Sequence, residues 1–231
     1  MSRTLYDLAA AHDDVRFSPY CWRIKMALKH KGLDWREVPW RFTEKNVIAF
    51  ADSMTVPVLV DGDTVVADSW NIARHLEAHY PQAPTLFGGA QGEAHALFIK
   101  FWCEQTLNPQ ILRLIVMDLY ARIHPQDKAY FRANREARFR TTLEALVVAP
   151  DQGLPALRAS LAPVRAALEK QPFLGGERAS FADYCLFGVF QWARAMSPIT
   201  LLEPDDRVYA WRERLLGAFD GFASTLAPAR A

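Results

Sequence analysis

A change of pattern near residue 80 constrains the fold of this chain more than any other feature. Before it, short β-rich runs alternate with helical patterns, whereas after it apolar residues recur at helical spacing. Residues 81–90 are rich in proline and glycine and have the composition of a linker. A chain of 231 residues can accommodate two small domains. We therefore predict an α+β protein of two domains, a mixed one over residues 1–80 and an all-helical one over residues 91–231.

The first region contains β-rich runs and two helix starts. The β-rich runs, which predict four strands, cover residues 5–8, 35–40, 57–60 and 64–66. Asp61-Gly62-Asp63 between the last two predicts a hairpin turn. Ser18-Pro19 predicts the start of a helix, because serine caps a helix N-terminus and proline suits the first helical position. Asp68-Ser69 predicts the start of a second helix, so the order is βαβ followed by ββα.

The second region contains only helical patterns. We predict its helices at about residues 91–122, 126–148, 154–170, 180–196 and 204–226. Pro109 is expected to kink or divide the first of them, because proline removes a helical hydrogen bond. Ser180 and Asp183 match a capping box at the start of the fourth, which we interpret as structural.

Charge and cysteine content exclude several classes of protein. Lysine and arginine total 27 against 26 aspartates and glutamates, so no nucleic-acid partner is expected, because phosphate binding requires a basic surplus. The Arg-rich stretch over residues 132–140 is interpreted as a solvated helix face. There is no signal-peptide pattern, and no apolar run approaches the ~20 residues of a membrane helix. Three widely spaced cysteines suit a reducing compartment, so we expect a cytoplasmic protein without membrane association.

Three segments together resemble a known family. They are FSPYCWR over residues 17–23, TVPVL over 55–59 followed by Asp68-Ser69, and FLGG over 173–176 followed by SFAD over 180–183. In this order they resemble the first helix, the glutathione-binding half and the helical-domain capping motif of the glutathione transferases. The match extends over essentially the whole chain. It implies a thioredoxin-like N-terminal domain with a mixed four-stranded sheet, an all-α C-terminal domain, glutathione as co-substrate and a homodimer.

A narrower resemblance rests on three short runs. SPYCWR over residues 18–23, LKHKG over 28–32 and DSWNIA over 68–73 resemble the bacterial lignin β-etherases and the related etherase-like fungal transferases. This resemblance implies a small apolar electrophile, with a β-aryl ether as the candidate substrate and a phenolate as the leaving group.

Ser18 is the candidate catalytic residue. The thiol of glutathione must become a thiolate before it can attack a carbon atom. A helix N-terminus and a hydrogen-bond donor both favour a thiolate, and Ser18 at the start of the first predicted helix offers both. The resemblance makes Ser18 the catalytic serine. The alternative is that Ser18 only caps the helix.

Five further residues are implied to hold glutathione. Family members have a cis-proline at the position of Pro57, so that the backbone of Val56 pairs with the tripeptide like an added strand. Ser69 is implied to bind the γ-glutamyl carboxylate at a helix start, with Asp68 near the ammonium group. Lys45 is a candidate for the glycine carboxylate. The alternatives are that Pro57 only opens an edge strand, that Asp68 and Ser69 are an ordinary capping pair, and that Lys45 is an exposed surface lysine.

Cys21 supports a second hypothesis. It occupies the second cysteine position of a Cys-x-x-Cys motif whose first cysteine is replaced by Ser18. A mixed disulfide with glutathione at Cys21 would make the protein a thiol oxidoreductase, although a buried helix residue is the commoner role. A third hypothesis is a non-catalytic interaction protein that has kept the fold, because fold does not imply function.

The pocket for the electrophile is expected to be apolar and to lie between the domains. Its candidate residues are aromatic side chains that could equally belong to the core: Tyr20, Trp40, Phe98, Trp102 and Tyr120. His75 and His79 stand four residues apart, but the pattern has no glutamate directly after the first histidine and no apparent third ligand. No metal is therefore expected.

Overall fold

The protein is described by a computed structural model that covers residues 2–229. Residue 1 and residues 230–231, at the outer ends of the two predicted domains, lie outside the described residues. The first part of the chain contains β1 (Arg3–Leu8), α1 (Pro19–His30), β2 (Arg36–Trp40), β3 (Val58–Asp61), β4 (Thr64–Ala67) and α2 (Ser69–His79). The predicted order, βαβ followed by ββα, is confirmed.

The four strands form one mixed sheet in the order β2-β1-β3-β4. β1 is parallel to β2 and antiparallel to β3, and β3 and β4 form the predicted hairpin. Leu5 and Leu59 are paired at the centre of the sheet, and both are fully buried. The thioredoxin-like N-terminal domain that the resemblance implied is therefore present.

Local sequence explains where α1 begins and ends. Ser18 has extended backbone angles and accepts a hydrogen bond from the Cys21 N–H, and Pro19 follows at the first helical position. After the helix, Gly32 adopts a φ of +66°, which a side chain disfavours. Nine of the twelve residues of α1 are buried, because α1 packs against both α2 and the helical domain.

The described part of the second region contains helices joined by turns and irregular segments, and no named strand. It contains α3 (Ala90–Trp102), α4 (Asn108–Arg122), α5 (Lys128–Phe139), α6 (Leu143–Leu146), α7 (Pro150–Ser160), α8 (Ala162–Leu168), α9 (Phe181–Met196) and α10 (Arg207–Gly221). The predicted all-α domain is confirmed. The predicted division at residues 81–90 stays a prediction, and this segment follows α2 and ends where α3 begins.

Three predicted helices are in fact interrupted. The one over 204–226 leaves helical geometry at residues 218–220, where Phe219 and Asp220 adopt left-handed φ values of 54° and 57°. The stretch over 126–148 breaks at Arg140, which adopts a left-handed φ of 54° between α5 and α6. The stretch over 154–170 breaks near Leu161, because Pro163 two residues later cannot donate a backbone hydrogen bond to continue the helix. Gly153, which falls between the predicted helices over 126–148 and 154–170, lies inside α7, where an added Cβ would meet Leu114 Cδ2 at 2.6 Å.

Pro109 has the predicted effect in a specific form. Residues Cys103–Leu107 form a π-helical turn between α3 and α4. A proline at 109 leaves the preceding turn without one of its backbone donors, and the chain widens there instead of continuing as a regular α-helix. This turn faces the cleft described below.

The two domains are joined chiefly by α1 and α9. Gly188 of α9 lies so close to α1 that an added Cβ would be 2.3 Å from the Pro19 carbonyl oxygen. The buried guanidinium of Arg23 forms an ion pair with Glu104 at 2.7 Å, and the Nδ1 of His30 lies 2.7 Å from the Tyr184 hydroxyl. Among the helices of residues 2–229, none combines the length and hydrophobicity that crossing a bilayer requires.

Candidate functional site

A cleft of about 490 Å³ is lined by residues of both domains. All six residues predicted to activate or hold glutathione line it: Ser18, Lys45, Val56, Pro57, Asp68 and Ser69. They come from the start of α1, the 3₁₀ turn after β2, the start of β3 and the start of α2. We call this side of the cleft the sheet wall, and the side formed by the π turn, α4, α5 and α9 the helical wall.

Ser18 lies at the N-terminus of α1, where the helix dipole is positive. Its Oγ accepts a hydrogen bond from the Cys21 N–H at 3.2 Å, and its side chain is 2% exposed. A hydroxyl that accepts one hydrogen bond still has its own hydrogen to donate. Ser18 can therefore both cap the helix and donate to a sulfur atom in the cleft, so the two roles considered from sequence are compatible.

Val56 precedes β3 and is joined to Pro57 by a cis peptide bond, as the resemblance implied. Within residues 2–229, neither the N–H nor the C=O of Val56 is hydrogen-bonded to another residue. Unpaired backbone groups directly before a strand offer a ready edge for an added strand.

Ser69 and Asp68 form the start of α2. Asp68 caps the helix through Oδ1, which accepts from the N–H groups of Trp70 and Asn71 at 2.9 and 3.1 Å. Its φ of 74° is strained for a residue with a side chain. Ser69 is 1% exposed, and its Oγ has no hydrogen-bond partner in the described part of the chain. A buried hydroxyl without a partner is costly, so this group is arranged for a partner that enters the cleft.

Lys45 is half-buried between the two walls. Its Nζ donates to the Met54 carbonyl oxygen at 2.5 Å and lies 4.7 Å from the centre of the Trp40 ring and 5.3 Å from that of Tyr130. Burial lowers the pKa of Lys45, and the charge of nearby Asp127 opposes this shift. The ammonium group thus points along the segment that precedes Val56.

Asp127 holds the loop that carries Lys45. It is fully buried, and its carboxylate accepts hydrogen bonds from the backbone N–H groups of Phe42 and Thr43, both at 3.0 Å. The Thr43 hydroxyl donates a third at 2.8 Å. This contact ties the loop after β2 to the helical domain, and with it the position of Phe42 in the cleft.

Cys21 does not line the cleft. It is completely buried, with 0% of its surface accessible. Burial, and after it the charge of Asp7, raises the pKa of its thiol well above the usual value. Thiol–disulfide exchange requires an accessible thiolate. The environment of Cys21 is that of an inert core cysteine.

The helical wall contributes polar residues that the sequence did not single out. Glu104 and Asn108 line the cleft from the π turn and the start of α4. Asn108 Nδ2 lies 3.4 Å from the Tyr20 hydroxyl, and its Oδ1 is buried without a partner among the described residues. Glu104 and Asn108 are four residues apart and lie just before Pro109. This spacing could have indicated that the two side chains share one face of the helix, next to the break that the proline causes.

The Arg-rich stretch was only partly interpreted correctly. Arg132 lies on a solvated face and pairs with Glu136 and Glu144, as predicted. Arg135 and Arg138, in contrast, line the cleft. Their spacing of three residues places both on one face of α5. The sequence alone does not show which arginines of this helix face the cleft, because the position of the cleft depends on the fold.

Among the aromatic candidates for the electrophile pocket, Tyr20 and Trp40 line the cleft, whereas Phe98, Trp102 and Tyr120 do not. Phe98 is 68% exposed on α3, on the surface rather than in a pocket. The aromatic residues that sequence reasoning missed are Phe17, Phe42, Tyr130, Phe139 and Trp192. They come from four separate segments, and only Tyr130 and Phe139 share a helix, so helical spacing within one segment could not group them.

Two other predicted features lie outside the cleft. The Nε2 of His75 lies 3.0 Å from the Asp61 carboxylate, and the His79 ring stacks on that of His75. In the described part of the chain no group of three potential ligands could hold a metal ion. The Ser180–Asp183 capping box is present, and Asp183 also accepts from the Leu174 and Gly175 N–H groups and the Trp211 indole at 2.7 to 2.9 Å.

Comparison with known proteins matches both halves of this architecture. The family model described as "Glutathione S-transferase, C-terminal domain" matches residues 94–214, and that for the N-terminal domain matches residues 17–79. Glutathione S-transferase Z2 of Arabidopsis thaliana is 27% identical over 135 residues, which are 54% of this chain. The match spans 59% of that relative's length.

Two solved fungal structures share the fold over nearly the whole chain. Glutathione transferase GSTFuA3 of Phanerochaete chrysosporium is 24% identical with a TM-score of 0.84, and the match covers 93% of this chain and 96% of that one. A glutathione S-transferase of Ceriporiopsis subvermispora, solved in complex with glutathione, is 20% identical with a TM-score of 0.80, and the match covers 95% and 97%. Since the C-terminal family model alone matches more than half of the residues, the chain belongs to the glutathione S-transferase family.

Proposed function

We propose that this protein is a glutathione transferase in which the sheet wall binds and activates glutathione and the helical wall receives an electrophile. The observation that carries the proposal is the Ser69 hydroxyl, which is buried in the cleft without a partner at the N-terminus of α2. A helix start with an unpaired hydroxyl suits a carboxylate. The resemblance implies that this carboxylate is the γ-glutamyl one, and the Ceriporiopsis relative was solved in complex with glutathione.

The rest of the tripeptide then follows the sheet wall. The unpaired backbone groups of Val56 are suited to pair with the middle of the tripeptide. The ammonium group of Lys45, which donates to the Met54 carbonyl oxygen two residues before Val56, is suited to bind the glycine carboxylate of glutathione. The strained Asp68 positions its carboxylate at the same helix start, where the γ-glutamyl ammonium would lie. If glutathione binds in this way, its thiol would lie next to Ser18.

Ser18 would lower the pKa of the bound thiol by donating its hydroxyl hydrogen to the sulfur at the positive end of α1. The thiol proton is released to solvent. The thiolate sulfur then attacks the electrophilic carbon, a C–S bond forms, and the leaving group departs with its bonding electron pair. If the electrophile is a β-aryl ether, the bond that breaks is C–O and the leaving group is a phenolate.

The test is a pair of measurements on the wild type and Ser18→Ala. Calorimetric titration with reduced glutathione should show binding by both proteins, because Ser18 contributes to thiol activation more than to tripeptide binding. Conjugation should be measured with an aryl halide, an epoxide and a β-aryl ether, and should fall in the variant. Absence of glutathione binding by the wild type would contradict the proposal and favour an interaction protein.

The oxidoreductase alternative has less support, because Cys21 is buried and its thiol pKa is raised. Mass spectrometry after treatment with oxidised glutathione tests it directly. An unmodified Cys21 is expected, and a single adduct at Cys21 together with reductase activity would reverse this ranking.

A homodimer in the cytoplasm is the expected context, on the strength of the resemblance. Phe98 and Phe101 on α3 are 68% and 45% exposed, with Leu97 beside them. An exposed apolar helix face of this kind supports a covering partner, and a second copy of the chain is the partner that the resemblance implies. Light scattering after size exclusion should give twice the mass of the chain, and Phe98→Glu should give the monomer mass.

A further inference from the structure

Arg135 and Arg138 form a pair of cations on the helical wall of the cleft. Among residues 2–229, neither guanidinium lies within ion-pair distance of a carboxylate. Arg132, one turn earlier on α5, has two such partners in Glu136 and Glu144. The two arginines that face the cleft are therefore distinguished from their neighbour by the lack of a counter-ion.

Arg135 is held in place by aromatic rings rather than by acids. Its Cζ lies 4.8 Å from the centre of the Phe131 ring and 5.8 Å from that of Phe42. Its Nη1 donates to the side-chain oxygen of Asn134, which is neutral. Stacking on rings fixes the plane of a guanidinium and leaves its N–H edge free to bind an anion in bidentate fashion.

The surroundings of Arg135 favour an anion. Burial, followed by the like charge of Arg138, lowers the pKa of Arg135. Two like charges in a partly desolvated wall repel each other, and a bound anion relieves this repulsion. Charge-assisted hydrogen bonds in such surroundings are stronger than in water.

Phe42 connects this pair to the reacting end of the cleft. Its ring centre lies 6.2 Å from that of Phe17, which directly precedes Ser18, and 6.2 Å from that of Tyr130, on which it stacks. An aromatic group that occupies the cleft beside Ser18 would thus lie against Phe42, and Arg135 Cζ lies 5.8 Å from the centre of that ring.

We propose that the electrophile is an anionic aromatic compound, whose carboxylate binds Arg135 and Arg138 while its ring packs against Phe42 and Tyr130. This inference rests on the proposed function, since it assigns the substrate class of the same cleft. It replaces the small apolar electrophile expected from the resemblance. The glycine carboxylate of glutathione has the same chemistry as the proposed ligand, and the test separates the two.

The experiment measures affinity for three glutathione conjugates by calorimetry. S-(4-carboxybenzyl)glutathione carries the proposed carboxylate, S-(4-carbamoylbenzyl)glutathione is its neutral match in shape, and reduced glutathione lacks the ring. The proteins are the wild type, Arg135→Gln, Arg138→Gln and, as a matched control on the same segment, Arg140→Gln. Arg140 is exposed and does not line the cleft.

The wild type should bind the carboxylate conjugate about tenfold more tightly than the amide conjugate, the effect of one good charge-assisted contact. Arg138→Gln, an exposed position where folding is not at risk, should lose most of this preference, and Arg135→Gln should lose it as well. Arg140→Gln should keep it. Affinity for reduced glutathione should be unchanged in all of these variants.

Three results would overturn the inference. Equal affinity of the wild type for the two conjugates would show that no anion is selected. A preference that survives in both Arg135→Gln and Arg138→Gln would assign it to another group. A loss of affinity for reduced glutathione in these variants would show that the pair holds the glycine carboxylate instead. Failure of the wild type to bind any of the three ligands would contradict the proposed function itself.

Discussion

The sheet wall and the helical wall of the cleft are built in different ways. The sheet wall presents helix starts and unpaired backbone, with Ser18 and Ser69 each at the first turn of a helix and Val56 just before a strand. The helical wall presents long side chains from several helices, including Glu104, Arg135 and Trp192. The first kind of surface is fixed by secondary structure and suits one invariant ligand. The second can change by single substitutions and suits a ligand that differs between relatives.

The largest expected effect comes from removing a support that both walls share. Asp183→Ala should lower the free energy of unfolding by at least about 3 kcal/mol, because several buried donors lose their acceptor at once. Asp183 belongs to the capping box at the N-terminus of α9, and this helix packs on α1 and carries Trp192. Urea unfolding measures this loss.

Thr142→Ala is the matched control for Asp183→Ala, since it removes an exposed cap of the short helix α6. It should cost only about 1 kcal/mol. Equal losses for the two variants would contradict the view that Asp183 is more than a helix cap.

Ser18→Ala should separate chemistry from binding on the sheet wall. Turnover should fall about 100-fold, the usual cost of removing one donor to a developing or stabilised anion. The dissociation constant for glutathione should change little. Ser18→Thr, which keeps a hydroxyl, should recover part of the turnover, and the measurement is steady-state kinetics with saturating glutathione. Unchanged turnover in Ser18→Ala would leave Ser18 as a helix cap only.

Gly188→Ala should disturb the contact between α9 and the sheet wall. The added Cβ would lie 2.3 Å from the Pro19 carbonyl oxygen, which is backbone and must shift. We expect a loss of about 2 kcal/mol in unfolding free energy, as for other overpacked sites. Gly217→Ala is the control, because nothing lies within 4 Å of the added Cβ there. It should be neutral or slightly stabilising, and thermal denaturation of both variants would reveal the difference.

The smallest expected effect is a pH dependence at the domain interface. Burial, followed by the charge of Lys31, lowers the pKa of His30, whose Nδ1 lies 2.7 Å from the Tyr184 hydroxyl. The unfolded chain therefore binds this proton at a higher pH than the folded one. Stability should fall as the pH decreases below about 6.5, the ordinary histidine value, and should be unaffected above it.

His30→Asn isolates this contribution, because every other residue is the same in the two proteins. Chemical unfolding of the two proteins between about pH 5 and 8 should show a steeper decline for the wild type on the acid side. Parallel curves would show that His30 does not contribute.

The difference between the two walls of the cleft also explains which residues of the site could be predicted from the sequence. The helix starts at Ser18 and Ser69 and the strand after Val56 were identifiable because capping residues and strand starts leave local patterns in sequence. The four strands and their order were predicted for the same reason. The roles of Ser18, Val56 and Ser69 were implied by the resemblance. Resemblance then supplied the ligand for which these residues are suited.

The helical wall was mostly missed because its members meet only in three dimensions. Glu104, Arg135 and Trp192 lie on separate segments, and no spacing rule connects them. Arg135 and Arg132 have the same residue type on the same helix, yet only the former faces the cleft. The division of residues 126–148 depends on a left-handed Arg140, which arginine does not indicate by its type.

The most direct test of this division of labour is a calorimetric titration of reduced glutathione into the wild type, Ser69→Ala and Arg135→Gln. Ser69→Ala should weaken binding about tenfold, because the γ-glutamyl carboxylate loses a charge-assisted hydrogen bond. Arg135→Gln should bind glutathione as the wild type does. Equal weakening by the two substitutions, or weakening by Arg135→Gln alone, would contradict the assignment of glutathione to the sheet wall.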